Sequence, residues 1–241
     1  MSSLLTRRYF LALTGALMSS GSLNAQASLA TASVPPTLDH ILLGAGDLDA
    51  GSVYVEKLAG VRPAGGGSHP GMGTRNTLLS LGTERYLEVI APDPQQKTPH
   101  STRYGNLDGV TQPRLIGWAA HTRDINALAA RLRDAGIAAA GPNDGSRVRP
   151  DGKVLHWRTL GLKDDRGGLL PFFIQWGADT VHPSVDAPSG CKLVAFEVAS
   201  PDGAALTDLY RKLGLDVEVR SGAKLLRARI AGIHGEFELT S

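Results

Sequence analysis

One interval recurs along the chain, and it constrains the fold more than any other feature. Asp47, Asp124 and Asp202 stand 77 and 78 residues apart, and Gly60, Gly136 and Gly214 stand 76 and 78 apart. Each aspartate follows an apolar run of strand length and is placed to cap a helix, because its carboxylate can accept from the unpaired amides of the first turn. Each glycine closes that helix, at the position where a left-handed residue is favoured. Between them lie helical apolar faces: Leu48, Val55 and Leu58; then Ile125, Leu128, Ala129 and Leu132; then Leu206, Leu209, Tyr210 and Leu213. Extended stretches follow each helix, and several alternate apolar with polar residues as half-buried strands do. The chain is a strand–helix–strands unit used three times.

The units are expected at 38–110, 111–183 and, smaller, 190–241. Each alone leaves a sheet face uncovered, so the first two are expected to pair into one curved mixed sheet with helices outside. The fold class is α+β, built of repeated βαβββ units that form a sheet cup. The third unit is expected beside them, or at a homodimer interface. The polar run from Gln95 to Gln112 is rich in turn formers, and loops of that length are usually disordered or functional, often lids.

Residues 1–27 stand apart. Thr6-Arg7-Arg8-Tyr9-Phe10-Leu11 is a twin-arginine pattern, an apolar run follows, and Ala25-Gln26-Ala27 is a small-x-small cleavage site. The run is too short to span a bilayer. A periplasmic or secreted protein is expected, exported by the twin-arginine route, with no membrane anchor after cleavage. Residues 28–37 are a linker rich in Ala, Ser and Pro. The full chain carries 25 basic and 23 acidic residues, a formal net charge of +2. Removing Arg7 and Arg8 with the signal brings it to zero, which argues against nucleic acid as a partner. The single cysteine, Cys191, permits no intrachain disulfide and is expected as a small buried hydrophobe.

Four stretches carry a resemblance: Leu38-Asp39-His40, then His69 to Asn76 (HPGMGTRN), Tyr86 to Pro94 (YLEVIAPDP) and Pro171 to Gly177 (PFFIQWG). With the repeated unit, they resemble the glyoxalase-like branch of the vicinal oxygen chelate superfamily, which includes glyoxalase I, extradiol dioxygenases and bleomycin-resistance proteins. The resemblance implies an eight-stranded open cup with a divalent metal, Zn, Fe, Mn or Ni, on first- and fourth-strand residues. It maps those ligands to His40 and Glu88 in the first unit. In the second unit it finds Gly117, which cannot ligate, and Gln175, whose amide oxygen is a weak ligand. In the third it finds Ala195 and Glu238. His69, His121 or His182 are the residues that could complete a three-ligand set.

His40 and Glu88 are thus expected as catalytic residues, and His40, Glu88 and Gln175 as metal ligands. His69, Arg75, Asn76 and Trp157 are expected to contact a small-molecule substrate. Trp118 and Trp176 are expected in the core, and Arg147 and Arg149 as solvated loop charges. The implied function is a lyase, isomerase or dioxygenase acting on a small oxygenated substrate; the alternative is a protein that binds and sequesters a small molecule without turnover.

Overall fold

The computed structural model describes residues 33–97, 106–149 and 152–241. The signal-like segment and most of the linker lie outside the described residues, as does the middle of the Gln95–Gln112 run. The first unit runs β1 (Leu38–Gly44), α1 (Leu48–Ala59), β2 (Ala64–His69), β3 (Thr74–Ser80) and β4 (Tyr86–Pro92). The second runs β5 (Arg114–His121), α2 (Ile125–Asp134), β6 (Ala139–Val148), β7 (Val154–Leu162) and β8 (Phe172–Trp176). Asp47 and Asp124 cap their helices as expected, accepting from Ala50 N at 2.8 Å and from Asn126 N and Ala127 N. Gly60 closes α1 at φ 76°, which a side chain would strain.

The two units form one eight-stranded sheet in the order β2-β3-β4-β1-β5-β8-β7-β6. Within each unit the first and fourth strands pair parallel, and the units join antiparallel through β1 and β5. The order is the same read from either edge, so the curled mixed sheet has two like halves and a concave face that both contribute to.

The third unit keeps the element sequence but not the pairing. It comprises β9 (Lys192–Ser200), α3 (Gly203–Leu213), β10 (Val219–Ser221), β11 (Leu225–Gly232) and β12 (Gly235–Thr240). Its strands lie in the order β10-β9-β11-β12, so β9 pairs with β10 and β11 rather than with its fourth strand. Asp202 does not cap α3 with its side chain; its backbone is not extended as at Asp47 and Asp124, and the carboxylate is not presented to the first turn. This sheet packs beside the first two units as a further layer. Trp118 on β5 meets Phe196 and Tyr210, with ring centroids 5.3 and 6.2 Å away, and one apolar core runs through all three units. Tyr210 donates its hydroxyl to the Leu169 carbonyl, and Arg131 of α2 donates to the carbonyl of Leu213. No helix among the described residues is long and apolar enough to cross a membrane.

Candidate functional site

The concave face encloses a cavity of about 560 Å³. The first unit supplies its polar side, His40 from β1, Asn76 from β3, Glu88 from β4 and His69 from the end of β2. The second supplies an aromatic and apolar wall, Trp157 from β7 with Phe172, Ile174 and Trp176 from β8, and a polar edge from β6 that includes Asn143, Asp144 and Arg147.

His40 is 1% exposed and held on one side only. Its Nδ1 lies 2.7 Å from Asp39 Oδ1, while Nε2 has no hydrogen-bond partner and faces Glu88 Oε2 at 3.4 Å. An ionised carboxylate accepts and cannot donate, so Nδ1 carries the proton and Nε2 is the atom left to exchange one. Tyr86 stacks on the imidazole at 4.4 Å, and Phe172 meets it edge-on. The other Glu88 oxygen, Oε1, accepts from Asn76 Nδ2 at 2.8 Å, and Asn76 Oδ1 in turn accepts from Gly67 N at 2.9 Å. His69 Nε2 stands 3.8 Å from Glu88 Oε1 and its Nδ1 is 2.9 Å from Thr74 Oγ1. Burial pushes His69 below the usual imidazole range, against the pull of the Glu88 charge.

Asp39 was invisible as a site residue in the sequence. Alternation along a strand sends neighbours to opposite faces, yet Asp39 and His40 act together. The register of β1 against β5 shifts between Leu38 and His40, which makes Asp39 the extra residue of a β-bulge and re-aims its side chain. Its second oxygen, Oδ2, accepts from Trp176 Nε1 at 2.9 Å and lies 3.4 Å from His182 Nε2. Burial alone would raise its pKa, but hydrogen bonds from His182 and His40 and their charges hold this carboxyl well below the ordinary range. The His40 contact is the shorter of the two and fixes the imidazole.

Four expectations are corrected. Gln175 does not face the cup: its amide oxygen accepts from Ile125 N at 2.9 Å at the start of α2, since alternation on β8 gives the cup to Ile174 and Trp176 instead. Trp176, expected in the core, therefore lines the cup, while Trp118 is buried with its Nε1 on the Leu169 carbonyl. Arg75 adjoins Asn76 on β3, and the same alternation turns it to the opposite face. Arg147 is not a loop charge: it lies on β6, half-buried, and lines the cavity. A basic residue in a polar, glycine-containing strand gave no periodicity from which to find it.

The donors present do not fit a three-residue metal site. His40 Nε2 and Glu88 Oε2 converge and His69 stands near, but Glu88 Oε1 is engaged by Asn76, and Gln175 and His182 are committed elsewhere. Among the described residues no set of three His, Cys, Asp or Glu side chains is placed to hold a metal ion. A protein site normally needs three ligands for tight binding of a catalytic divalent ion. Protein purified without chelator is accordingly expected to carry substoichiometric divalent metal by elemental analysis. A full equivalent, lost in His40→Ala, would contradict this.

Residues 38–214 match the model of the family described as Glyoxalase-like domain. Comparison with curated proteins finds no match in sequence. Among solved structures, a hypothetical protein from Staphylococcus aureus is similar at a TM-score of 0.61 and 18% identity, over 78% of this chain and 86% of that one. A methylmalonyl-CoA epimerase from Mycobacterium tuberculosis aligns at a TM-score of 0.42 and 20% identity, over 62% of this chain and 92% of its own. One from Streptomyces coelicolor, in complex with 2-nitronate-propionyl-CoA, gives 0.43 and 20%, over 61% of this chain and 100% of its own. With the repeated unit, the palindromic sheet and a match over most of its length, the chain belongs to the Glyoxalase-like domain family.

Proposed function

We propose that the cup binds a small oxygenated molecule and that His40 and Glu88 move a proton on it, as an isomerase or lyase does. The observation that carries this reading is the His40 Nε2 atom. It is buried and without a hydrogen-bond partner, the opposite ring nitrogen is fixed by Asp39, and it faces a carboxylate at the cavity floor. For a carbon next to a carbonyl, Glu88 takes the proton while His40, doubly protonated with Nδ1–H on Asp39, donates Nε2–H to the carbonyl oxygen as negative charge develops there. Return of the proton to the same or the neighbouring carbon gives an epimer or an isomer. Asn76 holds Glu88 in place, and Asp39 is a positioning residue that stabilises the imidazole when it carries charge.

A second reading, a binder without turnover, draws support from the wall of Trp157 and Trp176, whose rings pack edge to face at 5.8 Å. A panel of dicarbonyls and catechols, followed by thermal stabilisation and by product NMR, separates the two. The enzyme reading expects Glu88→Gln to keep ligand stabilisation but to lose about 10²–10⁴-fold in turnover. Stabilisation with no product from the wild type favours the binder.

Export is part of the proposal, supported by Arg7-Arg8 and the Ala25-Gln26-Ala27 site. Arg7→Lys with Arg8→Lys is expected to leave uncleaved protein in the cytoplasm on cell fractionation, while the wild type is found cleaved outside it. Equal export of both would remove the twin-arginine assignment.

A further inference from the structure

A second cavity of about 290 Å³ adjoins the cup. The two share Leu78, Arg147, Leu155 and Pro183, so Arg147 borders both chambers. Arg149, just beyond the end of β6, also lines the second chamber and pairs with Asp186. Residues two apart in an extended chain share a side, which is why both arginines reach this space. The rest of the chamber is small or backbone, with Ala64, Gly65, Gly66 and Ala187.

Arg147 Nη1 donates to the Gly66 carbonyl, across the seam where the edge strands β2 and β6 approach each other. That bond anchors the side chain and engages one of the five guanidinium donors. Its partner is a neutral carbonyl, so the bond brings no counter-charge to the half-buried guanidinium. A cation withdrawn from water is costly unless an anion meets it. The Glu88 charge acts on Arg147 from elsewhere in the same cup.

We propose that this second chamber is an oxyanion pocket, in which Arg147 holds a carboxylate or phosphate group of the molecule bound in the cup. Arg149 adds positive charge behind it, already balanced in part by Asp186. The inference rests on the cup being the small-molecule site, and it narrows the ligand class: an anionic molecule whose planar or apolar body lies against Trp157 and Trp176. The fork of a guanidinium suits the paired oxygens of either group.

The test uses the tryptophan fluorescence of the cup and three probes, phenylacetate, phenylacetamide and phenyl phosphate, on wild type, Arg147→Gln and Arg147→Lys. The wild type is expected to bind phenylacetate about tenfold or more tighter than phenylacetamide, with Arg147→Gln erasing the difference and Arg147→Lys keeping part of it. Phenyl phosphate binding about tenfold tighter than phenylacetate also supports the pocket and assigns it to phosphate. Equal binding of acid and amide by the wild type, unchanged by either substitution, overturns the pocket and leaves the cup as a small-molecule site. No binding of any probe overturns both. Should Arg147→Gln fail to fold, the lysine variant and the acid–amide ratio of the wild type still decide.

Discussion

Replacing Asp39 with alanine is expected to cost about 3–5 kcal/mol of stability, the scale for removing one partner from a buried charged network. The carboxylate is 1% exposed and takes hydrogen bonds from groups on three segments: His40 on β1, Trp176 on β8 and His182 in the connection to the third unit. Without it, all three face an apolar gap. For a domain of roughly 210 residues the corresponding fall in melting temperature is about 10 °C. The same linkage fixes a pH dependence. Asp39 is held below the ordinary carboxylate range in the folded chain, against a value of 3.8 when unconstrained. Its contribution is therefore present above pH 3.8 and is lost as the pH falls below that value toward the folded pKa. His69 acts in the same direction at higher pH: its folded pKa lies below the ordinary 6.5, so acid drives the unfolded chain to take the proton first. Urea unfolding of wild type and Asp39→Ala between pH 3 and 7 is expected to show a difference that narrows at the acid end. A difference that is small at pH 7 would remove Asp39 from the centre of the site.

Gly66→Ala is expected to be the most damaging change in the β2 strand, by roughly 2–4 kcal/mol, from backbone strain and overpacking together. Gly66 has φ 78°, which L side chains seldom adopt, and a methyl there would lie 2.2 Å from the Asn76 carbonyl oxygen and 2.5 Å from Asn76 Oδ1. Backbone cannot yield cheaply, so Asn76 must move. Asn76 holds the Glu88 carboxylate, and the loss is therefore expected in activity as well as in melting temperature. Gly65→Ala is the internal control. Its φ of 68° is just as left-handed, but nothing lies within 4 Å of the added methyl, so only the strain of about 1 kcal/mol applies. Equal effects from the two would show that the contact with Asn76 carries no weight.

Periodic features were legible before any coordinates. Apolar faces at helical spacing, two of three caps and the extended runs predict the elements, and the shared interval predicts that the first two units pair. His40 and Glu88 were reached through resemblance, and their facing geometry is a property of β1 and β4 pairing parallel. What was not legible depends on breaks in periodicity or on which face a strand presents. A single bulge brought Asp39 to the side of His40, and nothing in Leu38-Asp39-His40 signals it. Gln175 and Trp176 exchange their expected faces because a shift of one residue exchanges every side chain on a strand, and nothing in Pro171 to Gly177 marks that register. Arg147 sits in a strand whose residues, Ala139 to Val148, alternate too weakly in hydropathy to announce a buried face. The third unit repeats the element order, yet order does not fix pairing: β9 takes β10 and β11 as neighbours.

In the proposed reaction, Glu88 and His40 together move a proton on a molecule held in the cup. Solvent exchange tests it most directly. Small 2-oxo and 2-hydroxy carbonyl compounds, with and without a carboxylate, are incubated with the protein in deuterium oxide, and loss of the C–H signal beside the carbonyl is followed by proton NMR. The wild type is expected to exchange that hydrogen in at least one compound of the panel, and Glu88→Gln to slow the exchange by about 10²–10⁴-fold while still binding the compound. Exchange at an equal rate in Glu88→Gln, or binding in the cup with no exchange at all by the wild type, would contradict it.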